Sequence, residues 1–418
     1  MVLFILPLKY RFYKRKMLVC YIACCASPCY TYDMRILIVP DSFKGSLTAK
    51  DFCDAAERGI RKVIPDADIL KMPIADGGEG TMDCILSVLG GYSEEIEVTG
   101  AFLGEKRTVR VGFIEEDGTA FKTAVIETAE AMGLPALGER KNPCLTTTFG
   151  VGEMIAYALS RGAKKLILTL GGSSTNDCGT GMMSALGTVF CDSEGGAFVP
   201  TGGSLSNIFS CDFSAMWAKL SDVEIVAMCD VTNPLCGQNG CSAVYAPQKG
   251  ADAAMVKVLD SGCRHFADVV EACLGKDFAQ FPGAGAAGGL GFACVACMHS
   301  TLKSGIDTIL GLYNFVAAAE TADYVITGEG CFDEQSLMGK AIGGIVQKTR
   351  EAAALVRRGN IPVVVFCGKN AFSVAVAFPE LSVCEVSAGQ ELEYAMSHAP
   401  QNLEASVEKW AAGLVERL

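Results

Sequence analysis

The apolar pattern begins at RILIV (35–39), four buried-type side chains in a row, stopped by Pro40 and Asp41. A run this short, ended by turn residues, predicts a buried strand. LTAKDFCDAAERGIRKVI (47–64) follows, with Phe52, Ala55, Ala56 and Ile60 recurring near the helical period. That spacing gives a helix one apolar face, and Ser46 or Thr48 is placed to cap its start. DILKMPIA (68–75), the turn DGGEG (76–80) and the helical TMDCILSVLG (81–90) repeat the unit. Two strand–helix units in succession predict a parallel sheet.

From 94 to 128 the pattern changes to alternation in steps of two, broken by a turn at 116–118. This predicts a hairpin or meander. FGVGEMIAYALSRG (149–162) then reads as a helix, KKLILTL (164–170) and VEIVAMCDV (223–231) as strands, and 252–278 as a long helical region. The strand–helix rhythm returns with YVIT (324–327), PVVVFCG (362–368) and LSVCEVSA (381–388). An antiparallel-flavoured middle between two similar flanks predicts an α/β chain of two domains. One is a parallel-sheet domain of Rossmann or flavodoxin-like type, residues 34–94 and 286–418. The other is a mixed α/β domain, residues 95–285, inserted into it.

Composition narrows the function. At 418 residues and half apolar, the chain is long enough for two cores and too apolar for extended disorder. A formal charge of −12 leaves no electrostatic footprint for nucleic acid or an anionic membrane, so local donors must hold any anionic ligand. Twenty cysteines are scattered along the chain. They read as reduced thiols acting as small hydrophobes, and Cys294 and Cys297 in ACVACMHS (293–300) as two thiols on a packed helix, since no second pair stands at zinc spacing. Residues 1–33 place a basic cluster before a short apolar run, the outline of a secretory signal. We favour the competing reading, a translation start set too far upstream of Met34, because the cysteine-rich body suits a reducing, cytoplasmic compartment.

Chemistry concentrates where strands are predicted to end. IVPDSFKGS (38–46) offers Asp41, Ser42 and Lys44. PIADGGEGT (73–81) offers Asp76, Gly77, Gly78 and Glu79. LTLGGSSTNDCGTG (168–181) offers Gly171, Gly172, Ser173, Ser174, Thr175, Asn176 and Asp177. VITGEGCFDEQS (325–336) offers Glu329, Asp333 and Ser336. Ligands of parallel sheets bind beyond the carboxyl ends of strands, where glycines let backbone N–H groups approach a phosphate. Carboxylates at the same rim repel phosphate but suit Mg²⁺, which bridges phosphates. Together these turns point to metal–nucleotide chemistry, although any one of them alone is more often an ordinary turn.

Two glycine strings do not fit better-known sites. GAGAAGG (283–289) has dinucleotide-loop spacing but follows no buried strand, so a tight turn or a hinge at the domain crossing is the simpler reading. MGKA (338–341) lacks both the first glycine and the metal-binding hydroxyl of a phosphate loop. The three histidines, His265, His299 and His398, stand in none of the polar turns. Histidine-based hydrolysis or zinc chemistry is therefore disfavoured, and a carboxylate should be the general base.

Eight strings in order carry a resemblance: PDSFKGSLTA, PIADGGEGT, TTTFGVGE, LGGSSTND, CDVTNPLCG, GAGAAGGLG, SGIDTIL and ITGEGCFDEQSLMGK. They resemble the signatures of the bacterial-type glycerate kinases (glycerate 2-kinases), from Met34 to the C-terminus. Cys178, Cys241 and Ala246 depart from the more usual Gly, Ala and Gly, which puts local turns in question rather than the likeness.

The resemblance implies two α/β domains with an active site in the cleft between them, and transfer of phosphate from ATP, with Mg²⁺, to D-glycerate to give 2-phosphoglycerate. On that basis Lys44, helped by Ser42, neutralises the substrate carboxylate or the moving phosphate. Asp41 and Asp76 hold Mg²⁺ or orient the glycerate hydroxyls, and Asp76 or Asp177 is the base. Gly171 to Ser174 and Asn176 cradle phosphate. Asp230, Asn233, Glu329, Asp333, Ser336 and Lys340 complete the binding set with Gly77, Gly78 and Glu79. A homodimer is compatible with this reading. Three alternatives stay open: a 3-phosphoglycerate product, a nicotinamide-dependent oxidoreductase, and a non-catalytic sensor of small acids.

Overall fold

The computed structural model describes residues 34–75, 77–78, 80–115, 122–337, 340–372 and 378–417. Asp76, Glu79 and the expected turn at 116–118 therefore lie outside the described residues. In chain order the strands are β1 (Arg35–Ile38), β2 (Asp68–Lys71), β3 (Gly91–Thr99), β4 (Lys106–Glu115), β5 (Lys122–Glu127), β6 (Ala163–Thr169), β7 (Val189–Cys191), β8 (Ala197–Phe198), β9 (Ser210–Asp212), β10 (Glu224–Met228), β11 (Thr301–Lys303), β12 (Tyr324–Phe332), β13 (Val363–Asn370) and β14 (Leu381–Glu385).

They form a five-stranded sheet β14-β13-β12-β1-β2, a six-stranded sheet β11-β10-β6-β5-β4-β3 and a small sheet β8-β7-β9. Every pairing in the five-stranded sheet is parallel. The six-stranded sheet is mixed: β3, β4 and β5 form the antiparallel meander that the alternation predicts, and β5, β6, β10 and β11 run parallel. Chain membership passes to the second sheet at Gly91 and leaves it at Lys303.

Local chemistry explains the elements that lead to the site. The first helix, Ala49–Arg61, starts where the Thr48 side chain accepts the Asp51 N–H, and its Phe52, Cys53, Ala55, Ala56 and Ile60 are buried. These residues and the helix Ala399–Val415 cover one face of the parallel sheet. The other face packs with Met82 and Ile85 of the helix Thr81–Leu89 into a core that also takes Ile114, Val125, Ile167 and Met228 from β4, β5, β6 and β10. The two large sheets thus share one apolar layer. At roughly 1.5–3 kcal/mol for each fully buried large aliphatic side chain, that layer opposes free movement of one sheet against the other.

GAGAAGG (283–289) belongs to this packing. The segment leads into the helix Ala286–Phe292, with left-handed backbone at Ala287, Gly288 and Gly289. A Cβ on Gly288 would stand 1.9 Å from the Thr175 carbonyl oxygen. Glycine is required because one backbone lies directly on another, a close packing that suits the tight turn of the two readings, turn or hinge. Cys294 and Cys297 sit buried in a π-helical turn, Ala293–Cys297, and the cysteines of the described residues are free thiols.

One strand runs past its expected end. β12 continues through Gly328, Glu329 and Gly330 to Phe332, because β13 pairs with it along that length. Glu329 therefore stands inside a strand rather than in the turn after one.

Candidate functional site

Two cavities meet at the carboxyl end of β1. One, of about 710 Å³, is lined by Asp41, Ser42, Lys44, Asp230, Glu329 and Lys340, with Lys369 of β13 and apolar Leu392 and Met396 on its outer wall. The other, of about 770 Å³, shares Asp41, Ser42, Lys44 and Asp230 and adds Gly77, Gly78, Gly171, Gly172, Ser173 and Lys249. The shared residues come from both large sheets: Asp41 to Lys44 follow β1, and Asp230 follows β10.

Hydrogen bonds fix the loops. After β1 the chain stays in register with β12, Val39 N–H donating to Ile326 O at 2.7 Å and Asp41 N–H to Gly328 O at 3.0 Å. The Asp41 carboxylate accepts the Ser42 N–H at 2.6 Å. Phe43, buried against Phe52, anchors the turn and leaves Lys44 exposed on the cavity wall. The loop after β2 meets the loop after β6 backbone to backbone: Gly171 N–H donates to Gly77 O at 3.3 Å, and a Cβ on Gly171 would stand 2.9 Å from that oxygen. Glycine there lets the two sheets' loops touch. Buried Glu127, at the end of β5, accepts the Gly80 and Met82 N–H groups at the N-terminus of the following helix. Its burial pushes the carboxyl up, and the two backbone donors pull it back.

The cavities gather eleven of the sequence-predicted residues: Asp41, Ser42, Lys44, Gly77, Gly78, Gly171, Gly172, Ser173, Asp230, Glu329 and Lys340. Glu329 is pushed above the usual carboxylate range by burial, and its Oε1 is buried without a hydrogen-bond partner among the described residues. Asp230 accepts the Gly305 N–H at 2.8 Å, at the start of the helix Gly305–Leu312. Lys340 Nζ donates to Gln335 at 3.1 Å.

Other predicted residues lie elsewhere. Asp177 is fully buried and lines neither cavity. Its carboxylate accepts Thr148 N–H at 2.8 Å, Thr148 O–H at 2.9 Å, Gly179 N–H at 3.2 Å and Gly181 N–H at 3.3 Å. It ties together the starts of the helices Phe149–Ser160 and Thr180–Leu186, a geometry that does not offer it to a substrate hydroxyl. Ser174 and Asn176 are also buried behind the loop, Asn176 donating to Ser242 Oγ at 3.0 Å. Asn233 accepts from the O–H of Tyr245, which lines the second cavity, and Asp333 holds the buried Ser336 through reciprocal bonds; Asn233, Asp333 and Ser336 line neither cavity.

The sequence reading passed over Lys249. It is 2 % exposed, lines the second cavity, and donates to Ser173 Oγ at 3.0 Å and to Thr175 O at 2.7 Å. Burial lowers its pKa to about 8.

The glycerate kinase family model matches residues 36–415. A glycerate kinase of Bacillus subtilis (strain 168) is 41% identical over 91% of this chain and 98% of its own. A glycerate 2-kinase of Escherichia coli (strain K12) is 42% identical over 82% and 87%. The chain belongs to the glycerate kinase family. A crystal structure described as that of a glycerate kinase 2 from Salmonella typhimurium LT2 superposes with a TM-score of 0.79 at 36% identity, over 93% of this chain and 100% of that one.

Membership in the glycerate kinase family makes the chain a phosphotransferase acting on an alcohol group, with ATP the implied co-substrate. This sets aside the oxidoreductase and the non-catalytic sensor. The departures from the family strings have visible consequences. Cys178 takes a left-handed φ of 52°, a conformation that glycine adopts more easily, and its Sγ lies 3.3 Å from Cys263 Sγ. Cys241 and Ala246 are both completely buried, where the added atoms fit the core. Among the described residues, no helix is long and apolar enough to cross a membrane.

Proposed function

We propose that the chain phosphorylates D-glycerate on its 2-hydroxyl with ATP and Mg²⁺, in a cleft whose walls come from the two large sheets as two domains. The observation that carries the reading is the junction: Asp41, Ser42, Lys44 and Asp230 line both cavities. A group moving from one ligand to the other must pass them.

The nucleotide belongs in the cavity with Lys340 and Lys369, whose charges suit a triphosphate, and whose Leu392 and Met396 offer apolar contact to a base. Leu392 and Met396, 75% and 38% exposed, stand one turn apart on the helix Leu392–Ser397 and form an exposed apolar patch on that wall, which fits a surface covered by ligand. The acceptor belongs in the cavity lined by Gly171, Gly172, Ser173 and Lys249. Lys44 sits where negative charge moves in the transition state. Asp230 is the carboxylate of the described residues placed to take the hydroxyl proton; of the two bases expected from the sequence, Asp177 lines neither cavity and Asp76 lies outside the described residues.

The donor set suits Mg²⁺. Glu329 has an orphaned buried oxygen in the cavity that Asp41 and Asp230 also line. Among the described residues no group of three or more His, Cys, Asp or Glu is close enough to hold a metal alone. Magnesium on a nucleotide needs only one or two protein carboxylates, its other ligands being phosphate and water. Asp41 and Glu329 would hold it, and it would neutralise phosphate charge.

The E. coli relative's name, glycerate 2-kinase, supports the 2-hydroxyl. Incubation with D-glycerate, ATP and Mg²⁺, with enolase as the coupling enzyme, tests it. Enolase consumes 2-phosphoglycerate directly, so a signal without added mutase is expected. A signal only with mutase would show 3-phosphoglycerate and overturn the regiochemistry; no phosphorylated glycerate at all would overturn the reading. Leu392→Ser is expected to raise KM for ATP about tenfold, by loss of an apolar contact worth roughly 1.5 kcal/mol, with KM for D-glycerate unchanged. An unchanged ATP KM would remove Leu392 from the nucleotide site.

A further inference from the structure

A lysine buried to 2 % exposure is a costly feature. An ammonium removed from water without a partner is strongly disfavoured, and buried charges are as a rule paired. Among the described residues no carboxylate stands within ion-pair distance of Lys249 Nζ, whose bonds go to a hydroxyl and a backbone carbonyl, both neutral. Cys241 and Cys263 nearby stay neutral thiols, held well above the usual thiol range by hydrogen bonding between thiols and by burial, and the Asp177 carboxylate stands farther off. An ammonium has three donors. Two are used, which fix Nζ in place, and the third remains for a ligand of the acceptor cavity that Lys249 lines. Ser173 accepts from Lys249 through Oγ, so its own hydroxyl hydrogen remains to donate into the same space. A fixed cation and a fixed hydroxyl donor, both buried and side by side, form a receptor for a small carboxylate.

Resting on the proposed function above, we infer that Lys249, with Ser173, binds the carboxylate of the acceptor and so selects a hydroxy acid over a neutral polyol. Lys44 is not an equal candidate for this role. It is exposed and stands at the junction, where a charge serves the moving phosphate. The chemistry also supplies selectivity, because a neutral acceptor would leave the buried ammonium unpaired.

The test is Lys249→Met, which keeps the length of the side chain and removes the charge. Steady-state kinetics of the purified full chain are compared for D-glycerate and for glycerol, which keeps the hydroxyls and lacks the carboxylate. The expected result is a rise of about 100-fold in KM for D-glycerate, KM for ATP within threefold, and a collapse of the preference for D-glycerate over glycerol by a similar factor. A folded variant whose KM for D-glycerate stays within threefold, or whose preference is unchanged, would overturn the assignment. If the variant does not fold, a crystal structure of the wild-type protein with D-glycerate decides: the carboxylate against Lys249 Nζ supports the inference, and the carboxylate elsewhere ends it. Wild-type protein that phosphorylates no D-glycerate is a distinct outcome, which overturns the functional reading beneath the inference.

Discussion

Lys44→Met lowers kcat about 10³-fold while KM for ATP and for D-glycerate move by no more than severalfold. The magnitude follows from what a fixed positive charge does in phosphoryl transfer, where there is little covalent work for the protein and catalysis is positioning plus charge stabilisation. The direction follows from place. Lys44 lines both cavities, whereas Lys340 lines only the one assigned to nucleotide. Lys340→Met should therefore act mainly on KM for ATP. Methionine matches the lysine stem, and Lys44 is exposed, so the unfolding midpoint should not change measurably. Rapid-quench measurement of a single turnover separates the two cases: the Lys44 variant slows the chemical step itself. A Lys44 variant whose kcat stays within tenfold of wild type would show that the junction lysine is not where charge develops.

How much of this was legible beforehand depends on whether a residue's role is set locally. The strand–helix rhythm placed β1, β2, β6, β10, β12, β13 and β14, because buried strands and one-sided helices write their burial into short windows of sequence. β11 was not legible, since TLK (301–303) is three residues long and gains its place only by pairing with β10. The end of β12 was misread because glycines weaken a strand locally, while its partner β13 holds the extended chain beyond them. In the site, the motif around Asp41 was informative because a carboxylate, a hydroxyl and a lysine after a buried strand have few structural uses. GGSSTND (171–177) was ambiguous by nature. A loop that cradles a ligand and a loop that caps two helices both need small residues and an acid, and this one does both: Gly171 to Ser173 face the cavity, and Asp177 faces backward. Lys249 gave no local signal, since a lysine before a glycine looks like an exposed helix end, and its burial depends on the loop that folds over it.

Asp177 shows how the two kinds of role can be told apart. If it is an anchor, Asp177→Ala leaves four buried donors without their acceptor at the starts of two helices. The expected loss is about 4 kcal/mol, by analogy with breaking a buried charged network, which for a chain of this size lowers the unfolding midpoint by about 5 °C. Asp177→Asn is milder. Its oxygen can take the place that receives both Thr148 groups and Gly181, leaving the amide against Gly179 alone, a loss of about 1–2 kcal/mol. The Thr148 hydroxyl already accepts the Met182 N–H, so its hydrogen must point at Asp177 and cannot turn away to relieve the change. Every partner of the carboxyl is then a donor; burial pushes its pKa up, and these four bonds pull it back. The catalytic reading predicts the reverse ordering: a base replaced by asparagine costs about 10²–10⁴ in kcat and little in stability. Thermal unfolding and kcat per folded molecule, measured on the same Asp177→Asn preparation, decide between them. A midpoint lowered with kcat within threefold is the result expected of an anchor, and an unchanged midpoint with kcat down a hundredfold would return Asp177 to the chemistry and require the loop to open during turnover.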